Sequence, residues 1–268
     1  MKVIREQDKI KPEDLVTAKS ILARLSKGDR VFGNPAEGLK ETLKKKEKEK
    51  ADILNGQDKL AVVVDTSEID SDIAKLKAGI KGEENLAEYL QSVVKYDKEL
   101  QDIIFFASLS DPNQNAGGDD YTSDSDFVGI YGDHLLIVDA KNIPTNPDIP
   151  LYIENNTLCA VGGAELIQLH PAVHVWRKAL LGVPTASING CVVIVNNKGA
   201  TIWKNQTWKM SQAQPIHQTE LVSYLHEWIS GKQPVTHLSL LLAMQKMQIR
   251  KINPEGDAIR AQMRRFGI

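Results

Sequence analysis

Apolar residues fall along this chain in two rhythms, and the change from one to the other marks its organisation. Over the first 78 positions the spacing is helical. The segment "KPEDLVTAKSILARLSKG" repeats apolar residues every three or four positions, with Pro12 early and Gly28 at its end. "NPAEGLKETLKKKEKEKADILNG" also has a proline near its start and a glycine at its end, and good helix formers dominate it. The two predict a pair of helices, arranged as a helical hairpin. "KLAVVVD" at 59–65 reads as a short strand, followed by another polar, helical stretch.

From Gly79 onward helical and strand patterns alternate. "GEENLAEYLQSVVK" places Leu86, Leu90 and Val93/Val94 on one helical face, and "DIIFFASL" reads as a strand buried on both sides. A polar loop, "SDPNQNAGGDDYTSDSD", separates it from two strands at 126–131 and 134–140, joined as a hairpin at Gly132-Asp133. "IPLYIENNTLCAVGG" predicts a second hairpin turning at Asn155-Asn156. A helix is expected from Pro171 to Leu181, a buried strand at 190–197, and helices near 218–230 and 236–250. The expected organisation is an N-terminal helical region over 1–78, an α/β core over 79–215 and C-terminal helices over 216–268.

One strand breaks its own pattern. The run Leu135–Val138 ends in Asp139-Ala140-Lys141. Side chains alternate along a strand, so Asp139 and Lys141 share a face and Ala140 points away. Charge at the end of a buried strand costs several kcal/mol unless it is paired or metal-bound. Antiparallel pairing across Gly132-Asp133 brings Asp126 to the same end of the hairpin. Two carboxylates converging there suit a hard cation such as Mg²⁺ or Mn²⁺, and a lysine beside them can position or deprotonate a water and stabilise phosphate charge. Glu83 or Glu84, placed at the first turn of the helix over 83–95, offers a third acid, although a glutamate there also complements the helix dipole. A simple Asp139–Lys141 salt bridge is the plainer alternative. Asp119, Asp120 and Asp124 compete with Asp126 if the register shifts.

Composition narrows the field without deciding it. The 268 residues are 42% hydrophobic and 25% charged, with a net charge of −2, so any nucleic-acid binding rests on local patches. The run Lys44–Lys50 interleaves glutamate with lysine and predicts a solvated helix face. Two cysteines, Cys159 and Cys191, stand far apart and argue against a cysteine-built zinc site or a disulfide scaffold. A charged start, no secretory leader and no long apolar run predict a cytoplasmic protein without a membrane span. Phosphate-loop, dinucleotide, HExxH and GxSxG motifs are absent. The loop 111–122 fails the calcium-loop pattern, with Thr122 where a bidentate glutamate belongs. His170 and His174 have ligand-like spacing but no clear third partner. In the tail, Lys251, Arg264 and Arg265 are candidate phosphate contacts. Trp203 and Trp208 are candidates for base stacking, whereas Trp176 and Trp228 read as core.

Four segments in order resemble the nuclease-related domain (NERD) family of the PD-(D/E)xK nuclease-like superfamily. Gly79-Ile80-Lys81-Gly82-Glu83 is similar to the family's GxxGE, and "SDSDFVGIYGDHLLIVDAKN" to its Asp-hydrophobic segment before a strand ending in acid-x-Lys-Asn. "HPAVHVW" resembles its NP-x-x-Q helix start, and "CVVIVNN" occupies the place of its last core strand. The likeness covers roughly 79–205. It departs at Asp139, where the family usually has glutamate, and at His170 and His174, which replace Asn and Gln. The resemblance implies a restriction-endonuclease-like core with a mixed central sheet flanked by helices. It assigns Glu83, Asp126 and Asp139 to the metal and Asp126, Asp139 and Lys141 to catalysis. The expected function is Mg²⁺- or Mn²⁺-dependent phosphodiester hydrolysis, in DNA rather than RNA. The alternative is a catalytically silent module that binds nucleic acid or a protein, with partner binding or self-association through the N-terminal helices.

Overall fold

The computed structural model describes residues 4–5, 11–60, 65–109, 125–142, 150–154, 157–160, 164–168, 185–195, 202–203 and 214–247. Among these residues, five α-helices run over Leu15–Ser26 (α1), Glu37–Leu60 (α2), Ser67–Tyr96 (α3), Leu221–Ile229 (α4) and Leu238–Met247 (α5). The strands are Ile4–Arg5 (β1), Val31–Phe32 (β2), Ile104–Leu109 (β3), Ser125–Tyr131 (β4), His134–Asn142 (β5), Leu151–Glu154 (β6), Thr157–Ala160 (β7), Ala164–Gln168 (β8), Ser187–Val195 (β9), Ile202–Trp203 (β10), Gln214–His217 (β11) and Thr236–His237 (β12).

A six-stranded mixed sheet in the order β11-β9-β5-β4-β3-β2 forms the centre. The hairpin β4–β5 turns at Gly132-Asp133, as the sequence predicts, and β5 runs parallel to β9 on its other side. Gly132 is required by its backbone: φ is +60°, and a Cβ there would stand 2.1 Å from the Gln233 carbonyl oxygen. The hairpin β6–β7 flanks 155–156, also as predicted, and belongs to a separate four-stranded sheet.

Alternation along β5 sorts its side chains into two cores. Leu135 and Ile137 pack with Ala18, Ile21 and Leu25 of α1 and with Leu240, Leu241 and Met244 of α5. Leu136, Val138 and Ala140 pack with Leu86, Leu90 and Val94 of α3 and with Leu221 and Leu225 of α4. Helices thus cover both faces of the sheet, the arrangement that lets strands such as β3 be buried throughout.

Two helical expectations change. The helix expected over 83–95 begins sixteen residues earlier, and α3 runs unbroken from Ser67 through Gly79 and Gly82 to Tyr96. Its glycines serve packing, not helix initiation. A Cβ at Gly79 would stand 2.9 Å from Leu39 Cδ1, and one at Gly82 would stand 2.9 Å from the Asn142 Cβ. The hairpin partner of α2 is α3, not α1. Lys40–Glu84, Lys46–Asp72, Lys50–Asp70 and Lys77–Glu47 ion pairs join the two in antiparallel register. The strand expected over 59–65 starts with Lys59 and Leu60, which instead end α2, and 61–64 lie outside the described residues.

Candidate active site

The carboxyl end of β5 carries the charges that the apolar pattern left unexplained. Phe127 pairs with Val138 across the hairpin, so one residue further Asp126 stands opposite Asp139. The Ala140 backbone N–H donates a 2.7 Å hydrogen bond to Asp126 Oδ2, fixing that carboxylate against the strand. Asp139 and Lys141 occupy the positions that alternate with buried Ala140, and both are half-buried. On the far side of β5, Val192 and Ile194 of β9 lie level with Asp139 and Lys141.

Glu83 reaches this cluster from α3. Asn142, the last residue of β5, donates from Nδ2 to the Ala78 carbonyl oxygen at 2.7 Å. Because Gly82 has no side chain, the helix can approach Asn142 closely enough for that bond. Glu83 is the next residue, only 6% exposed, and in the middle of a long helix. The helix-dipole explanation for a first-turn glutamate therefore does not apply to it. Its neighbour Glu84 instead pairs with Lys40 at 2.8 Å. The two acids left open by the sequence thus separate: Glu83 joins the cluster and Glu84 belongs to the α2–α3 seam.

The electrostatics follow from burial and like charge. Burial pushes the Glu83 carboxyl up to about 8, and the Asp126 carboxylate, with Asp139, adds to that push. The Lys141 ammonium and a hydrogen bond from the Ala36 N–H pull it back. Burial works against charge on Lys141, but Asp126, Asp139 and Glu83 outweigh it and hold the ammonium above the ordinary lysine value. The lysine is therefore kept as a cation. That suits it to binding phosphate and orienting water, and opposes the base role also open to it from sequence.

The donor set fits a hard divalent cation in chemical kind and in charge. Asp126, Asp139 and Glu83 share one ammonium, and Glu83 is raised first by its burial and then by the neighbouring Asp126 charge. The fit stops short of a preformed cage: among the described residues, no group of three or more His, Cys, Asp or Glu side chains stands together as a metal site.

Of the other candidates, Lys251, Arg264, Arg265, His170, His174, Trp176, Trp208, Asp119, Asp120, Asp124 and the loop 111–122 lie outside the described residues, as does the helix expected at 171–181. Trp203 is described only as backbone in β10. Trp228 is buried, as expected. Sequence reasoning missed Asn142 as a participant, although it carried a signal, since it follows Lys141 directly.

No protein-family model, curated protein or solved structure matches this chain. Among the described residues, no helix is long and apolar enough to cross a membrane.

Proposed function

We propose that the chain is a metal-dependent phosphodiesterase acting on DNA, built on a restriction-endonuclease-like core. One observation carries this reading: Glu83, Asp126 and Asp139 converge on Lys141 at the end of a buried strand, on terms that a structural salt bridge does not require. Glu83, Asp126 and Asp139 would hold Mg²⁺ or Mn²⁺. Such an ion, when bound, offsets phosphate charge and lowers the pKa of water.

The chain's own groups account for the remaining steps. Lys141 donates to a non-bridging phosphate oxygen and offsets the charge that builds there as water oxygen adds to phosphorus. The Ala140 N–H keeps Asp126 oriented toward the same point. The attacking water gives up a proton to bulk water, the P–O ester bond breaks, and the departing alkoxide takes a proton from water and leaves as an alcohol.

A second reading is a silent module that binds nucleic acid or a protein partner through this cleft. The absence of a ready three-ligand group among the described residues favours it. Cleavage of plasmid, linear and single-stranded DNA with Mg²⁺ or Mn²⁺, by the parent and by Lys141→Ala, separates the two. Activity in the parent that Lys141→Ala loses supports the enzyme. DNA binding without cleavage, indifferent to metal, supports the module.

A further inference from the structure

Helices α2 and α3 run antiparallel along a seam whose charges are matched rung by rung, with one exception. Lys40, Lys44 and Glu47 follow at steps of four and three on α2, so they form one stripe of that helix. Glu84, Lys81 and Lys77, at steps of three and four, form the facing stripe of α3. The outer rungs are closed by ion pairs: Lys40 Nζ meets Glu84 Oε1 at 2.8 Å, and Lys77 Nζ meets Glu47 Oε1 at 3.0 Å. Counting inward from either rung brings Lys44 level with Lys81. The middle rung of a seam built on opposite signs therefore carries two ammoniums.

Lys44 and Lys81 are both exposed, and among the described residues neither forms an ion pair. The lysine run of α2 is thus not uniform: Lys46 and Lys50 are paired with Asp72 and Asp70, whereas Lys44 is not. The nearby carboxylates do not change this. Glu84 and Glu47 close the outer rungs, which leaves Glu41, three positions before Lys44, and Lys48 stands one turn after it. A glutamate at either middle position would complete the pattern, and two lysines there repel instead. A level that works against stability inside an otherwise matched seam points to a partner outside the chain, and its charge requires that partner to be an anion.

We infer that Lys44 and Lys81 together bind one backbone phosphate of DNA. Two ammoniums, each with three donors, suit the two non-bridging oxygens of a phosphodiester. Lys81 is two residues from Glu83, a rise of about 3 Å along α3 and about 200° around it. The rung therefore faces outward while Glu83 is buried, and the width of one helix, about 10–12 Å, separates them. Phosphates recur every ~3.4 Å along a strand, so one a few nucleotides from the acid cluster can reach the rung. The choice of DNA as the anion rests on the phosphodiesterase reading, whereas the rung can be tested without any cleavage.

The test follows binding of a labelled duplex oligonucleotide by fluorescence anisotropy, with chelator present so that nothing is cut. Lys44→Gln and Lys81→Gln are each expected to weaken binding about 10-fold and to lower the slope of log affinity against log salt by about 0.9. Because both side chains hold one phosphate, the double variant should lose less than the product of the single losses. Lys45→Gln, which removes an exposed lysine beside the rung, should stay within about twofold. Thermal unfolding in dilute buffer excludes a structural role: neither rung variant should lower the midpoint, since each removes a repulsion. Equal losses at Lys44 and Lys45, or unchanged affinity in both rung variants, overturn the inference. So does inorganic phosphate that displaces the duplex at equal phosphate concentration, which would make the rung a site for the free anion. A parent that binds duplex through these lysines but cleaves nothing with Mn²⁺ sinks the phosphodiesterase reading and leaves the rung standing. A parent that cleaves, with both variants binding and cleaving as it does, removes the rung alone.

Discussion

Glu83 and Glu84 are neighbours on one helix, yet they belong to regions with opposite electrostatic logic. The α2–α3 seam to which Glu84 belongs spreads its charges in opposite-sign pairs, each at least one-third exposed at one partner. Such pairs contribute little individually and are screened by salt. The end of β5 does the reverse, setting two aspartates and the buried Glu83 around a single ammonium. A seam of that first kind requires only matched signs. The second arrangement costs stability unless something else supplies positive charge, as the metal of the proposed function would.

The contrast can be broken most directly through activity. Asp139→Ala is expected to reduce metal-dependent DNA cleavage by about 10²–10⁴-fold, the range seen when a group stabilising the transition state is removed. Glu84→Gln should leave the rate within about twofold. Equal losses in a gel-based cleavage assay would erase the distinction between the regions.

The next largest effect is on stability against pH. Glu83 sits at about 8 in the folded chain against an ordinary value of 4.5. Between those values the unfolded chain has released the proton and the folded chain has not, so stability falls as pH rises through that window and is level on either side. The raised Lys141 value acts only above the ordinary lysine range and does not mask this slope. Glu83→Gln should remove the slope and gain on the order of 3 kcal/mol at pH 8, at about 1.4 kcal/mol per pH unit less an allowance for shared charge. Urea titrations at pH 5, 6.5 and 8 measure it. A parent that is equally stable at all three would show that Glu83 is not held protonated.

Gly82→Ala sharpens the comparison on the packing side. Its Cβ would meet the Asn142 Cβ at 2.9 Å, while helix propensity favours alanine by about 1 kcal/mol. A net loss of about 1–2 kcal/mol is expected in thermal unfolding, because both contacting atoms are close to backbone. No loss would mean that helix and strand separate freely. The smallest effect belongs to the seam: Lys40→Met should cost at most about 0.5 kcal/mol through its pair with Glu84, and a larger loss would point to its bond with the Pro35 carbonyl.

Sequence conveyed the strands better than the helices, for a physical reason. Buried strands such as 104–109 and 134–142 announce themselves by continuous apolar runs and by a turn with Gly132 at positive φ. The start of α3 was misread because Gly79 and Gly82 look like boundaries, although both are places where another element comes close. Asp126, Asp139 and Lys141 were legible because charge interrupts an apolar alternation. Glu83 was legible as a residue but not in its role, since its mid-helix burial depends on where α3 begins. The turn at 34–37 was not legible at all, because it depends on a φ that alanine rarely adopts.

The position of β5 also has a consequence for how the chain folds. One side of this strand zips onto β4 through a two-residue turn, an event on the microsecond scale. Its other side needs β9, with His134 meeting Ser187 across 53 steps of chain and eight more pairs following in parallel. Closing so long a loop is slow and comes late. During synthesis, a nascent chain that has emerged only as far as residue 186 would carry Asp139 and Lys141 on an open sheet edge. Maturation of the acid cluster therefore waits for the arrival of β9.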